Sequence, residues 1–249
     1  NALLSVTASN LTKVYGAAHS FAGNEFTVAS GTLFNGDTIV SATLASTGAS
    51  SAANVGPYSI SITNATGPGM TNYRISYIAG ALTVTPAPLT VTANSSNKVY
   101  GASQTYTGGE FAITSGSLVN GNTLTSALIA SAGAASNAPV GNYTVTVTNV
   151  TGVGASNYAI SHIPGTLTVN PATLLVTAAS TNKIYGGTLV PVAYSVAGLL
   201  NSDSVTNVAL SSAGSASNAP VGLYPITASL VEGAGLTNYS VGFSNGLLT

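Results

Sequence analysis

Apolar and polar residues alternate strictly over short stretches of this chain. Leu4, Val6 and Ala8 are separated by Ser5 and Thr7, and the row returns as Leu89, Val91, Ala93 and again as Leu174, Val176, Ala178. A period of two is that of a strand with one buried face. Further rows are Val40, Ala42, Leu44; Tyr58, Ile60, Ile62; and Tyr73, Ile75, Tyr77. Thr and Ser fill the opposite faces, and β-branched Thr itself favours extended backbone. With Phe26–Val28 and Leu82–Val84 added, each repeating block holds about six strands. Asn35-Gly36 and Asn120-Gly121 supply turn chemistry before the third strand, and Ala79-Gly80, Pro164-Gly165 and Asn245-Gly246 supply it between the last two. The alanine-rich stretch Ser131–Pro139 is broken by Gly and Pro and has no apolar stripe, so it reads as a loop. No helix is predicted. The fold class is all-β: small β-sandwiches of Ig-like type with Greek-key-like connections, in preference to a β-grasp fold, which needs a helix across its sheet.

The rows recur because the chain is a tandem repeat. Lys13-Val14-Tyr15-Gly16 returns as Lys98-Val99-Tyr100-Gly101 and Lys183-Ile184-Tyr185-Gly186, 85 residues apart each time. Val55-Gly56-Pro57-Tyr58, Val140-Gly141-Asn142-Tyr143 and Val221-Gly222-Leu223-Tyr224 follow in each copy, then Asn72-Tyr73, Asn157-Tyr158 and Asn238-Tyr239. The second spacing of these later words is 81, so the third copy has lost four residues between Tyr185 and Asn201. Three domains are predicted: 1–85, 86–170 and 171–249. Asn1 aligns with Pro86 and Thr249 with Thr168, so the chain reads as a window of a longer polypeptide whose third repeat is cut before its natural end. The linkers Thr85-Pro86-Ala87-Pro88 and Asn170-Pro171-Ala172-Thr173 are short and stiffened by proline, which predicts a semi-rigid rod.

Composition narrows the function classes. Only 4% of the 249 residues are charged, with four basic residues and a net charge of -1, so nothing here attracts nucleic acid or an anionic membrane. The chain has no cysteine, which removes disulfides and thiolate metal sites. No apolar run reaches the length of a membrane helix, and the domain-sized period and lack of Trp argue against a transmembrane barrel.

The ordered set Lys-Val-Tyr-Gly, Asn-Gly-Asp/Asn-Thr, Val-Gly-x-Tyr, Asn-Tyr-x-Ile and Gly-x-Leu-Thr-Val-x-Pro resembles the MBG repeat (Tyr-Gly-x type) of large bacterial surface adhesins, including filamentous-haemagglutinin-like proteins. It covers essentially the whole chain, although the third copy carries Asn201-Ser202-Asp203 in place of Asn-Gly-Asp/Asn. The resemblance implies a secreted, non-enzymatic module on the bacterial cell surface, used as a stalk or as an adhesive unit in a very long chain. It supplies no catalytic residue to carry over, and the residue inventory itself calls for no cofactor or metal. The expected partners are neighbouring repeats of the same longer chain and surface glycans. Because a nearly uncharged surface of β-forming residues lacks the repulsion and edge lysines that discourage lateral association, a self-assembling filament of laterally packed copies is a further expectation.

Read residue by residue, the ionisable inventory is sparse. The acids are Glu25, Asp37, Glu110, Asp203 and Glu232. Glu25 and Glu110 are one position in two copies and form no acid/base pair. His162 falls in the row of Tyr77 and Phe243 and is expected to pack as they do, while His19 aligns with Gln104 in a polar loop. Asn35, Asp37, Asn201 and Asp203 are turn residues with too few carboxylates for calcium. The Asn-x-Ser/Thr sequons arise readily in a chain of this composition and assign no glycosylation. An isopeptide crosslink is conceivable for Lys13 with Asn72 near Glu25, or Lys98 with Asn157 near Glu110; the alternative is that each lysine stays solvated while Tyr15, Tyr100 and Tyr185 pack on the core with the hydroxyl tied to backbone. Tyr58, Tyr143 and Tyr224 begin alternating rows, so they are expected to be buried, with Tyr73, Tyr158 and Tyr239 opening the next row. Together with Lys13, Tyr15, Gly16, Lys98, Tyr100, Gly101, Lys183, Tyr185 and Gly186, these are the motif residues assigned structural roles.

Overall fold

The computed structural model describes all residues from Asn1 to Thr249. It is all-β, with no helix beyond three-residue 3-10 turns. The first repeat comprises β1 (Ala2–Ala8), β2 (Leu11–Val14), β3 (Phe26–Ser30), β4 (Ser41–Ala45), β5 (Gly56–Thr66), β6 (Tyr73–Ile78) and β7 (Gly80–Thr85). They form two sheets in the orders β3-β1-β6 and β2-β7-β5-β4. One strand more than the rows predicted is present, because the Lys-Val-Tyr-Gly segment contributes a short strand of its own, β2, after the chain crosses from the first sheet to the second. Both β1 and β2 pair in parallel, with β6 (Leu4 opposite Ile75) and β7 (Val14 opposite Thr85), so the connections are not the all-antiparallel ones of a simple Greek key.

Between these sheets Leu4, Val6 and Ala8 meet Ala42, Leu44, Ile60 and Ile62, with Tyr73 and Leu82 completing the core. The apolar rows lose burial where a strand reaches a sheet edge. Edge strand β6 leaves Tyr77 exposed, and Val40, just before β4, is exposed as well. His162 is also exposed, contrary to its expected packing role, because it occupies the same end of the corresponding edge strand.

The second repeat repeats this plan with β8 (Ala87–Ala93), β9 (Ser96–Val99), β10 (Phe111–Ser115), β11 (Ser126–Ala130), β12 (Gly141–Thr151), β13 (Tyr158–Ile163) and β14 (Gly165–Asn170), in sheets β10-β8-β13 and β11-β12-β14-β9. The third has β15 (Ala172–Ala178), β16 (Tyr194–Ala197), β17 (Ser204–Ser211), β18 (Tyr224–Ala234), β19 (Tyr239–Ser244) and β20 (Gly246–Leu248), in sheets β16-β15-β19 and β17-β18-β20. Its counterpart of β2 is reduced to a parallel bridge between Thr181 and Leu248.

After β4, β11 and β17 the alanine-rich stretch is a 3-10 turn and not plain loop. Ser46, Ser131 and Ser212 cap these turns by accepting from the N–H of Gly48, Gly133 and Gly214. Each buried glycine lies against the ring of Tyr58, Tyr143 or Tyr224; a Cβ there would come within 2.6, 2.5 and 2.5 Å of ring atoms. The hydroxyls donate to the carbonyls of Asn54, Pro139 and Pro220 at 2.9, 2.8 and 2.8 Å. These three tyrosines are half-buried, not enclosed as expected: each packs against buried residues of a core cluster, but its hydroxyl end reaches out to the turn that the ring covers.

By contacts the chain divides into two compact units. One is Asn1–Thr92 with Phe111–Leu128 and Val147–Ile163, and the other is Ala93–Glu110, Ile129–Thr146 and Pro164–Thr249. Each unit therefore contains one complete boundary between repeats.

Candidate functional site

The motif residues converge at those boundaries. At the end of β2 the backbone turns at Gly16, with φ +87°. This leaves Tyr15 pointing not into its own repeat's core but onto the entry face of the next. There its ring meets that of Tyr158 edge to face, with centroids 5.6 Å apart. Asn122, in the turn before β11, donates from Nδ2 to the hydroxyls of Tyr15 at 2.8 Å and Tyr158 at 3.2 Å, and Val119 N–H donates to Tyr158 at 2.9 Å. Asn157 reaches back across the boundary: its Oδ1 accepts from Val55 N–H at 2.9 Å and its Nδ2 donates to Asn54 Oδ1 at 3.0 Å. Asn120, held at φ +55°, donates to the Ser51 carbonyl at 2.9 Å. Around these bonds a single apolar cluster joins Tyr15, Val84, Val55 and Tyr58 of one repeat to Leu89, Val119, Tyr158 and Ile160 of the next.

The second boundary is built alike within its own unit. Tyr100 meets Tyr239 at 5.5 Å, and both hydroxyls donate to Asp203 Oδ2 at 2.8 Å. Asn238 Oδ1 accepts from Val140 N–H at 2.9 Å, and Asn201 donates to the Ser136 carbonyl at 3.0 Å. Burial, with Asp203 adding to it, pushes the Tyr239 hydroxyl up to about 12. Burial raises Tyr100 as well. Tyr15 and Tyr100, each packed on the repeat after its own, are 5% and 4% exposed, and Tyr185 is 66% exposed. The expectation that these hydroxyls are tied to backbone is corrected: where a following repeat is present, its Asn122 or Asp203 side chain takes them.

Gly16 and Gly101 admit the partner closely. A Cβ would lie 2.8 Å from Val119 at the first and 2.4 Å from Leu200 at the second, whereas Gly186, at the same φ of +89°, has nothing within 4 Å.

The lysines support this face from behind. Lys13 Nζ donates to the carbonyls of Ala17 at 2.8 Å and Ser50 at 2.6 Å. Lys98 donates to Ala102 and Ala135, and Lys183 to Gly187 and Ala216. Ser50, Ala135 and Ala216 each end a 3-10 turn, so the ammonium neutralises carbonyls left free there. Lys13 and Lys98 are buried rather than solvated, and burial lowers their pKa.

The crosslink trio is not brought together. Lys13 lies where β2 leaves the repeat beside Thr85, and Asn72 lies where β6 begins beside Ala2, at the opposite end of the sandwich. Glu25 turns onto its own loop, accepting from the N–H groups of Ala22, Gly23 and Asn24 at 2.6, 2.9 and 3.0 Å. Its partial burial raises the pKa, but these bonds outweigh that and leave it lowered. Glu110 accepts from the Thr107 hydroxyl at 2.6 Å and from the N–H groups of Thr107 and Gly108 at 2.9 Å each, and is held at about 2. Asp37 accepts from Tyr73 at 3.1 Å. His19 packs its ring on Phe21 at 4.8 Å. No group of three or more potential metal-binding side chains occurs, and no helix is long and apolar enough to cross a membrane.

Sequence reasoning missed the junction. Its signal was that Asn35/Asn120/Asn201 and Asp37/Asn122/Asp203 recur in step with two tyrosines, a set of polar side chains too regular for turns alone.

No curated protein matches the chain. The sequence profile described as MBG domain (YGX type) matches residues 4–83, 89–168 and 174–249, and the Tyr-Gly pairs at 15–16, 100–101 and 185–186 are the ones seated at the exit faces. The chain thus belongs to the MBG (YGX type) family, as three tandem domains.

Proposed function

We propose that this chain is a structural stalk segment of a long extracellular bacterial surface protein, divided into units 1–85, 86–170 and 171–249 and working as a spacer, not as an enzyme. One observation carries the reading: both boundaries use the same tyrosine pair, the same Asx bridge and the same asparagine reaching back to the preceding repeat. Side chains that another protein would offer to a ligand are consumed in holding one repeat to the next. A stalk needs such a junction, because a single proline between strands leaves docking contacts to set the angle.

A glycan-binding module is the competing reading, and the engagement of the tyrosines disfavours it. Two measurements separate them. Stretching the intact chain by force spectroscopy should give a small number of similar unfolding events, each releasing the length of one repeat. Applied to a glycan array, the chain should bind nothing above background; selective micromolar binding would favour the module.

A further inference from the structure

We infer that Tyr100 and Tyr239 form an oxidative crosslinking site, at which an outer-sphere one-electron oxidant, a high-valent haem or a ruthenium(III) complex, joins them as a dityrosine. The bond would tie the second repeat covalently to the third. The inference stands on the geometry of that junction and not on the stalk reading.

Composition leaves tyrosine as the group to oxidise. The chain has 12 tyrosines and one methionine, and neither tryptophan nor cysteine is present to give up an electron in their place. Two pairs of tyrosines hold their rings together, and one pair has a base. Tyr100 and Tyr239 meet with centroids 5.5 Å apart, and both hydroxyls donate to Asp203 Oδ2 at 2.8 Å. Burial raises both hydroxyls, so they are phenols at neutral pH and the proton must leave with the electron. Asp203 is placed to take it. Tyr15 and Tyr158 are as close, at 5.6 Å, but there Asn122 donates its amide N–H to the hydroxyl oxygens and takes no proton.

Burial also decides what a radical meets. Tyr100 and Tyr239 are 4% and 8% exposed, so scavengers in solution are kept off the rings while the electron leaves through the packing. Each ring has the other against it. Hydroxyls that share one oxygen bring the ring carbons beside them together, and a rotation of the edge-to-face pair sets two Cε atoms in contact. Each phenol gives one electron to one equivalent of oxidant and its hydroxyl proton to water, the first proton passing through Asp203 before the second follows. The two radicals then join by a new bond between Cε atoms. Each of those Cε–H bonds breaks, and its hydrogen returns as a proton to the phenolic oxygen.

Photo-oxidation of the dilute 249-residue chain by a ruthenium tris-bipyridyl complex with persulfate tests this. The isolated monomer is expected to have lost the mass of two hydrogens, to show dityrosine fluorescence, and to yield a peptide pair linking Tyr100 to Tyr239. Tyr239→Phe should abolish that pair. Asp203→Asn, which the junction accommodates, should lower its yield by at least about tenfold. Asn122→Asp should create a link between Tyr15 and Tyr158. Circular dichroism of each variant before oxidation separates loss of the site from loss of the fold. A monomer without the Tyr100–Tyr239 link, equal yields at the two junctions, a yield indifferent to Asp203→Asn, or no new link in Asn122→Asp would overturn the inference.

Discussion

Tyr100 and Tyr239 come from different repeats, yet their hydroxyls donate to one oxygen, Asp203 Oδ2, each at 2.8 Å. At the preceding boundary Asn122 replaces the carboxylate and reverses the polarity, donating to Tyr15 and Tyr158. A hydroxyl is both donor and acceptor, so the pair of tyrosines accommodates either group. Asp203→Asn should therefore cost less than about 1 kcal/mol, while Asp203→Ala, which leaves two buried hydroxyls without their acceptor, should cost about 2–3 kcal/mol. Denaturant unfolding of the two variants checks the difference, and equal losses would contradict the shared bridge.

Base should loosen the same junction. Tyr239 titrates at about 12 in the fold, above the ordinary tyrosine value, so folding favours its protonated form. That contribution is complete below about pH 10 and disappears as pH rises from there to about 12. Tyrosinate absorbance should show a late step that Tyr239→Phe removes; a late step unaffected by that change would place it elsewhere.

Acid should act on a different part. Glu110 is held at about 2 by Thr107 and by backbone N–H groups, so its contribution is present above about pH 4.3 and is lost as pH falls toward 2. The third repeat has Ala193 at this place, its carbonyl accepting from Ala179 N–H as the Glu25 carbonyl accepts from Ser9. Glu110→Gln should flatten the acid limb of the stability profile, and an unchanged limb would show that the loop carboxylate is not responsible.

The glycine of the Tyr-Gly pair should be more demanding where the next repeat packs against it, as at Gly101, than at Gly186, where a Cβ meets nothing within 4 Å. Gly101→Ala meets both a positive φ and Leu200, while Gly186→Ala meets the positive φ alone. The first should exceed the second by about 1 kcal/mol or more. Equal costs would mean that only backbone conformation selects glycine there.

Most of the sandwich was legible in the sequence, because a period of two points to one buried face and Leu4, Val6, Ile60 and Leu82 sit where that rule puts them. Edges were not: Tyr77 and His162 keep the alternation after the covering sheet has ended, and alternation carries no record of which strand is outermost. The junction was hidden for a related reason. Tyr15 looks like any core aromatic beside a strand, and only the turn at Gly16 sends it across the boundary. Lys13 was misjudged because its partners, the carbonyls of Ala17 and Ser50, belong to backbone and leave no residue type to read.

The most direct test sets one substitution against itself. Tyr15→Ala, Tyr100→Ala and Tyr185→Ala alter the same motif position in three repeats, two facing a following repeat and one facing solvent. If this tyrosine docks on the next repeat, the first two should each cost about 3 kcal/mol or more, as truncating a buried aromatic does. The third, whose side chain is exposed in this chain, should cost less than about 0.5 kcal/mol. Similar losses at all three positions would contradict the junction and return the tyrosine to the core of its own repeat.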